Sequence, residues 1–181
     1  MRGFFGIGVE GISKPMNVGN LFRSAHAFGA DFVFAIAPAV DIGAIRKSDT
    51  SKTWRHVPLY EYEDVAAFSL PRDCDLVGVE LLDEAVDLPS FTHPARAAYV
   101  LGPERGALSP ALLARCAHVV RIPTSFCVNV GVAGAILMYD RIIARGGFPL
   151  RPVTPGGPDE APDPRVGPAP RSRSRTVRAG E

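Results

Sequence analysis

The stretch RIPTSFCVNVGVAGAILMYDR, residues 121–141, holds the junction that decides the fold. It opens at the end of a short apolar run, HVVRIP (118–123), breaks after Pro123, and resumes as a long helical pattern, VGVAGAILMYDRIIARG (130–146). A strand, a short loop and an apolar helix are the parts of an α/β unit. Two polar residues, Cys127 and Asn129, stand at the entrance to that helix. Asn129 suits an N-cap, which would make this an ordinary buried helix. The helix is also rich in small residues, Gly131, Ala133, Gly134 and Ala135. Small residues let another backbone come close, whether a neighbouring loop, a ligand or a partner subunit.

Working outward, the same alternation recurs. FFGIGVE (4–10), DFVFAIA (31–37), DLVGVE (75–80) and AAYVLG (97–102) read as strands. NLFRSAHAFG (20–29) reads as a helix with Leu21, Phe22, Ala25 and Phe28 on one face and Gly29 as its stop. SPALLARC (109–116) has Ser109 as N-cap and Pro110 in the first turn. EDVAAF (63–68) predicts a short helix, and residues 38–57 are polar and irregular. The pattern predicts one α/β domain with a mainly parallel sheet flanked by helices.

Near Pro149 the composition changes. Residues 151–181 hold seven of the 17 prolines and almost no large apolar side chain. Such a segment buries too little surface to offset its ordering entropy. The chain therefore divides into a domain over 1–149 and a disordered Pro/Arg-rich tail over 150–181. The tail's end, RSRSRTVR, is a solvated extension or a weak, salt-sensitive RNA contact.

Composition narrows the function classes. The 181 residues carry a net charge of +1, so any nucleic-acid surface must be local. The cysteines, Cys74, Cys116 and Cys127, are odd in number and scattered, and no CxxC occurs. That argues against a disulfide framework and a structural zinc site, and fits the reducing cytoplasm. No apolar run approaches ~18 residues, so no membrane span is expected. The start, with Arg2, an apolar stretch broken by Gly and an early Glu10, does not read as a signal peptide.

In parallel sheets, ligands bind beyond the carboxyl ends of the strands. Four loops fall on that rim: EGISKPMNVGN, ELLDEA, GPERGALS and PTSFCVN. The first follows Gly6-Ile7-Gly8-Val9-Glu10-Gly11, a literal GxGxxG. A dinucleotide fingerprint needs a helix to begin in that loop and an acid after the second strand. Here Pro15 intervenes, Asp31 precedes the second strand, and Gly6 and Gly8 fall inside the first. Close backbone packing is the better reading. Farther on, Asn17 or Asn20 suits a helix cap, and Arg23 suits bidentate phosphate binding at the rim. In LGPERGALSP (101–110), glycines flank a turn that carries Glu104, and Arg23 is its expected ion-pair partner.

Taken in order, these motifs carry a resemblance. Asn17 with Arg23 six residues on, then LGPE with a later Gly-Ala-Leu, then IP and Asn129 before a small-residue helix ending in Tyr-Asp-Arg, resemble the SpoU, or TrmH-like, group of the SPOUT superfamily of RNA methyltransferases. The resemblance covers roughly residues 4–145. It implies a deep trefoil knot in the C-terminal part of the domain, which generic topology rules count as improbable. It implies S-adenosylmethionine as cofactor, held by Val79, Glu80, Leu81, Leu101, Gly102, Glu104, Ile122, Cys127, Val128 and Asn129, largely through backbone groups. No metal is implied.

The implied reaction is methyl transfer to a ribose 2′-hydroxyl of RNA, with tRNA favoured over rRNA because the chain resembles the minimal members. Arg23, Asn17, Glu104 and Asn129 are the implied catalytic residues. Arg23 either accepts the hydroxyl proton or stabilises the developing alkoxide; arginine is a very poor base in water. Asn17 and Glu104 would hold it in place. The family is homodimeric, with helix 130–146 and the helix after Asn17 as candidate boundary. Local charges at Arg23, Lys47, Lys52 and Arg55 would then meet RNA. Where relatives commonly have Ser, this chain has Cys127. Two other readings remain: a Rossmann-like oxidoreductase resting on GxGxxG, and an inactive RNA-binding relative.

Overall fold

The computed structural model describes residues 3–43, 53–146, 148–149 and 151–157. Seven strands form one sheet: β1 (Phe4–Glu10), β2 (Phe32–Ile36), β3 (Leu59–Tyr62), β4 (Asp75–Val79), β5 (Val86–Asp87), β6 (Arg96–Leu101) and β7 (His118–Arg121). Their order is β3-β2-β1-β6-β4-β7-β5 and every pairing is parallel. The central strands are apolar on both faces, as parallel strands covered by helices must be. Because all strands run one way, the ends at Glu10, Val79, Leu101 and Arg121 lie on one rim.

Helix α1 (Pro15–Phe28), the single turn α2 (Pro110–Leu113) and helix α3 (Val130–Arg145) accompany the sheet. α1 and α3 pack on each other over one face of the sheet, and Phe5, Ile7, Val18, Leu21, Tyr99, Leu137 and Met138 fill the space between. The small residues of α3 make this crossing possible. A Cβ on Gly134 would sit 2.4 Å from Leu21 Cδ1, and one on Gly131 would sit 3.1 Å from Asn20 Cβ. The close neighbour is therefore α1 of the same chain. The opposite face of the sheet is covered by α2 and the Phe68 turn, against Phe32, Phe34, Leu76 and Val100.

Several expectations change. α1 begins at Pro15, five residues before the expected start, and neither Asn17 nor Asn20 caps it. Proline suits the first helical turn, and the cap comes from a distant loop, a source that local sequence cannot reveal. EDVAAF is a turn tied by Asp64, whose Oδ1 accepts from Ala67 N at 2.7 Å. Ser109 caps α2 as expected, accepting from Leu112 N at 3.2 Å. The helix stops after Leu113 because Ala117 N already donates to Leu76 O, bringing the chain into β7. β3 and β5 escaped the reading. β3 has no fully buried residue, with Tyr60 and Glu61 exposed side by side, and β5 has two residues, too few for any periodicity.

The Tyr-Asp-Arg at the end of α3 has a structural explanation. Arg141 is 1% exposed and donates through Nη1 to Pro94 O and Tyr99 Oη, and through Nη2 to Ala95 O. Tyr99 Oη lies 2.7 Å from His93 Nδ1, and His93 Nε2 lies 2.9 Å from Asp140 Oδ2. With Tyr99 accepting from Arg141, its own proton serves Nδ1, and His93 is the Nε2–H tautomer. Burial, opposed by the Asp140 contact, pushes His93 below its ordinary value. Nothing in the sequence singled out His93.

Candidate cofactor pocket and active site

An open cleft lies at the carboxyl rim, with about 690 Å³ of space counted out to its mouth. Its walls come from the segments after β4, β6 and β7. Of the ten residues expected to hold a cofactor, Val79, Glu80, Leu81, Leu101, Gly102, Glu104, Ile122, Cys127 and Val128 line it. Asn129 does not. Pro103, Gly106, Thr124, Val130 and Ala133 complete the lining.

A chain of side-chain hydrogen bonds ties the loops together. Glu104 Oε1 accepts from Asn17 Nδ2 at 2.8 Å. Asn17 Oδ1 accepts from Asn129 Nδ2 at 2.8 Å, and Asn129 Oδ1 accepts from Gly131 N at 2.9 Å as the N-cap of α3. Asn129 is thus both the cap and a bridge between motifs 112 residues apart. Asn17 is 4% exposed and uses both ends of its amide, the arrangement a buried polar group requires.

The expected Glu104–Arg23 pair is not formed. Glu104 spends its carboxylate on the start of α1, accepting from Ser13 N, Ser13 Oγ and Lys14 N as well as Asn17. It caps orphan amides at the positive end of that helix. Burial alone would raise its carboxyl, but the hydrogen bonds from Asn17 and Ser13 outweigh it and hold the group at about 2. Arg23 lies on the exposed face of α1 and, among the described residues, has no carboxylate partner. From Asn17 to Arg23 the helix advances about 9 Å and turns roughly 240°, so the two sit on different faces. Asn17, Glu104 and Asn129 come together; Arg23 stands apart from them within one chain.

Two further carboxylates pin the same loop. Glu80 Oε2 accepts from Leu108 N at 2.8 Å, and its Oε1 from Leu81 N at 3.0 Å. Gly102 leaves room for this crossing, since a Cβ there would lie 3.1 Å from Glu80 Oε2. Glu10, 8% exposed, accepts from Ser109 N at 2.7 Å. Sequence reasoning missed Glu10. Its signal was an acid closing an otherwise apolar buried strand, which needs an N–H partner. Gly6 and Gly8 lie under the rings of Phe32 and Phe34, where a Cβ would come within 2.2–2.4 Å. They serve sheet packing, and the GxGxxG reading has no phosphate site to support it.

The cleft's chemistry is one-sided. Its lining contains two carboxylates, Glu80 and Glu104, and no Lys, Arg or His. Such a site suits a neutral or cationic ligand and opposes a pyrophosphate. Cys127 is exposed at its wall. Burial pushes the thiols of Cys74 and Cys116 up to about 11, so neither is a nucleophile near neutral pH.

The sequence matches the SpoU rRNA Methylase family over residues 5–139, three quarters of the chain. The chain belongs to the SpoU family. Among curated relatives, the tRNA (guanosine(18)-2′-O)-methyltransferase of Escherichia coli K12 is 26% identical over 137 residues, 73% of this chain. The chain spans 60% of that relative's length. The SpoU methyltransferase AviRb of Streptomyces viridochromogenes, solved with AdoMet, has the same fold. It superposes with a TM-score of 0.67 at 23% identity, over 78% of this chain and 60% of that one. A structure reported for 2-OH methylation of C/U34 on tRNA gives a TM-score of 0.66 at 25% identity, over 80% and 92% of the two chains.

Proposed function

We propose that this SpoU protein is an S-adenosylmethionine-dependent methyltransferase acting on a ribose 2′-hydroxyl of RNA, with tRNA as the substrate class. The observation that carries the reading is the cleft itself. Three rim loops wall a pocket with apolar floor residues Leu101, Ile122, Val130 and Ala133, two carboxylates and no cation. That fits a nucleoside bearing a sulfonium. When bound, S-adenosylmethionine supplies an activated methyl group. The tRNA preference is supported by the activities printed for the Escherichia coli relative and the C/U34 structure.

The roles of the chain's residues follow from their bonds. Glu104, Asn17 and Asn129 act as positioning residues: they fix the loop after β6, the start of α1 and the start of α3 relative to one another. Arg23, free of a carboxylate among the described residues, handles the ribose hydroxyl. It orients the oxygen and stabilises its developing charge as the O–CH3 bond would form, the sulfonium S–CH3 bond would break and the hydroxyl proton would pass to solvent water. A guanidinium is suited to that role and poorly suited to accepting a proton.

The protein acts as a homodimer in this reading. α3 turns a stripe of exposed apolar residues outward, Val132, Ile136, Tyr139 and Ile143, spaced to share one helix face. Phe28 of α1 meets Tyr139 edge-on beside it. Arg23 lies on the exposed side of α1, where an RNA strand can reach it. The C-terminal knot belongs to the same reading, with the chain beyond β7 threaded past the loop after β6. The expected contacts at Lys47 and Lys52, and most of the tail, lie outside the described residues.

Calorimetric titration with S-adenosylhomocysteine and with NAD tests the pocket. Binding of S-adenosylhomocysteine alone is expected; binding of NAD alone would overturn the reading. Arg23→Ala should abolish methyl transfer while S-adenosylhomocysteine still binds, and normal turnover would remove Arg23 from the active site.

A further inference from the structure

His26 near the end of α1 and His56 just after the 3-10 turn Thr53–Arg55 stack face to face. Their ring centroids are 4.6 Å apart and their planes differ by 5°. Both side chains are exposed. Exposed imidazoles are free to splay apart, so this pairing holds two potential cations together where solvent can reach them. Arg23 lies one turn before His26, and Arg55 adjoins His56, its guanidinium 5.1 Å from the centroid of Trp54. α1 contains no Asp or Glu, and neither does the turn Thr53–Arg55. Among the described residues, no carboxylate lies within ion-pair reach of either ring. Among the described residues, the side chains named here bring no negative charge to the patch, in a protein whose net charge is only +1.

We propose that Arg23, His26, Arg55 and His56 form a seat for the phosphodiester backbone of the substrate RNA, with the stacked imidazoles as its proton-dependent part. This rests on the RNA methyltransferase reading above and adds the path by which the strand leaves the site. One charged imidazole stacks on a neutral one without penalty, whereas two charged rings repel. A phosphate at their N–H edges removes that repulsion, so binding the polyanion draws protons onto the pair.

The placement is compatible with the dimer. Asn20 and Leu21 of α1 face α3. His26 lies roughly 120–140° round the helix from them, on the flank away from the apolar stripe of α3. From Arg23 to His26 is about 4.5 Å along the axis, little more than one stacked nucleotide at 3.4 Å. A strand whose ribose is held near Arg23 therefore passes the imidazole pair within a few nucleotides.

The test compares the full-length protein with the double variant His26→Gln/His56→Gln. Fluorescence anisotropy with labelled unfractionated tRNA would be recorded at pH 6.0 and 8.0 over a salt series. The wild type should bind several-fold tighter at pH 6.0. The variant should lose that gain and reduce the salt slope by about 1. Its melting temperature and S-adenosylhomocysteine affinity should match the wild type. A variant that binds tRNA like the wild type at both pH values overturns the seat. So does a wild type that methylates RNA but shows no pH step, and the methyltransferase reading then stands. A wild type that transfers no methyl group to any RNA sinks that reading and the seat with it.

Discussion

Asn17 shows how much one side chain decides here. Local pattern alone suits it to a helix cap, because asparagine near a helix start usually is one, while the resemblance assigns it to the site. In the structure it is buried inside α1 and joins Glu104 to Asn129. Asn17→Ala removes both bonds and leaves two polar partners short, at a cost of about 1–3 kcal/mol that chemical denaturation would register. The same network makes an acid prediction through Glu104. Its folded carboxyl titrates at about 2 against an ordinary 4.5. Its contribution to stability is therefore complete above about 4.5, declines as pH falls below that, and is gone below about 2. Glu104→Gln should flatten the acid limb of the stability–pH curve over that window; an unchanged limb would show that Glu104 does not supply it. The identities of Asn17, Glu104 and Asn129 were legible through the resemblance, but their bonding was not. Residues 87 and 112 positions apart meet only through the crossing of the loops after β1, β6 and β7.

At the scale of elements, periodicity located the buried strands and both long helices because their apolar faces are continuous. It failed where little is buried, at β3 and β5, and where a single side chain outranks pattern, as Asp64 does in the expected helix at 63–68. The small residues of α3 left three neighbours open, and the structure answers with α1. Gly134→Ala places a methyl group 2.4 Å from Leu21 Cδ1, and Leu21 is fully buried with nowhere to turn. A loss of about 1–3 kcal/mol is expected, read as a lower denaturation midpoint with unchanged slope. A neutral result would mean that α1 and α3 do not cross as closely as described. The buried cluster of Arg141, Tyr99, His93 and Asp140 anchors the far end of α3. It holds steady the helix whose first turn carries Asn129.

For the molecule as a whole, the parallel sheet and the rim position of the pocket followed from strand–helix alternation alone. The knot and the dimer rest on the family resemblance and belong to the proposal, since threading and association leave no periodic trace in a single sequence. The outward stripe of α3 makes the dimer testable. Ile136→Glu places a charge in the middle of that stripe and should convert a dimer into a monomer in analytical ultracentrifugation, with the fold retained by circular dichroism. A wild type that sediments as a monomer at micromolar concentration would remove the stripe as a subunit boundary. The central claim concerns the reaction. The full-length protein would be incubated with methyl-labelled S-adenosylmethionine and fractionated tRNA and rRNA, and the product digested to nucleosides. Label is expected in a 2′-O-methylated nucleoside from tRNA, absent with Arg23→Ala. Label on a base, or none in any RNA, would contradict it.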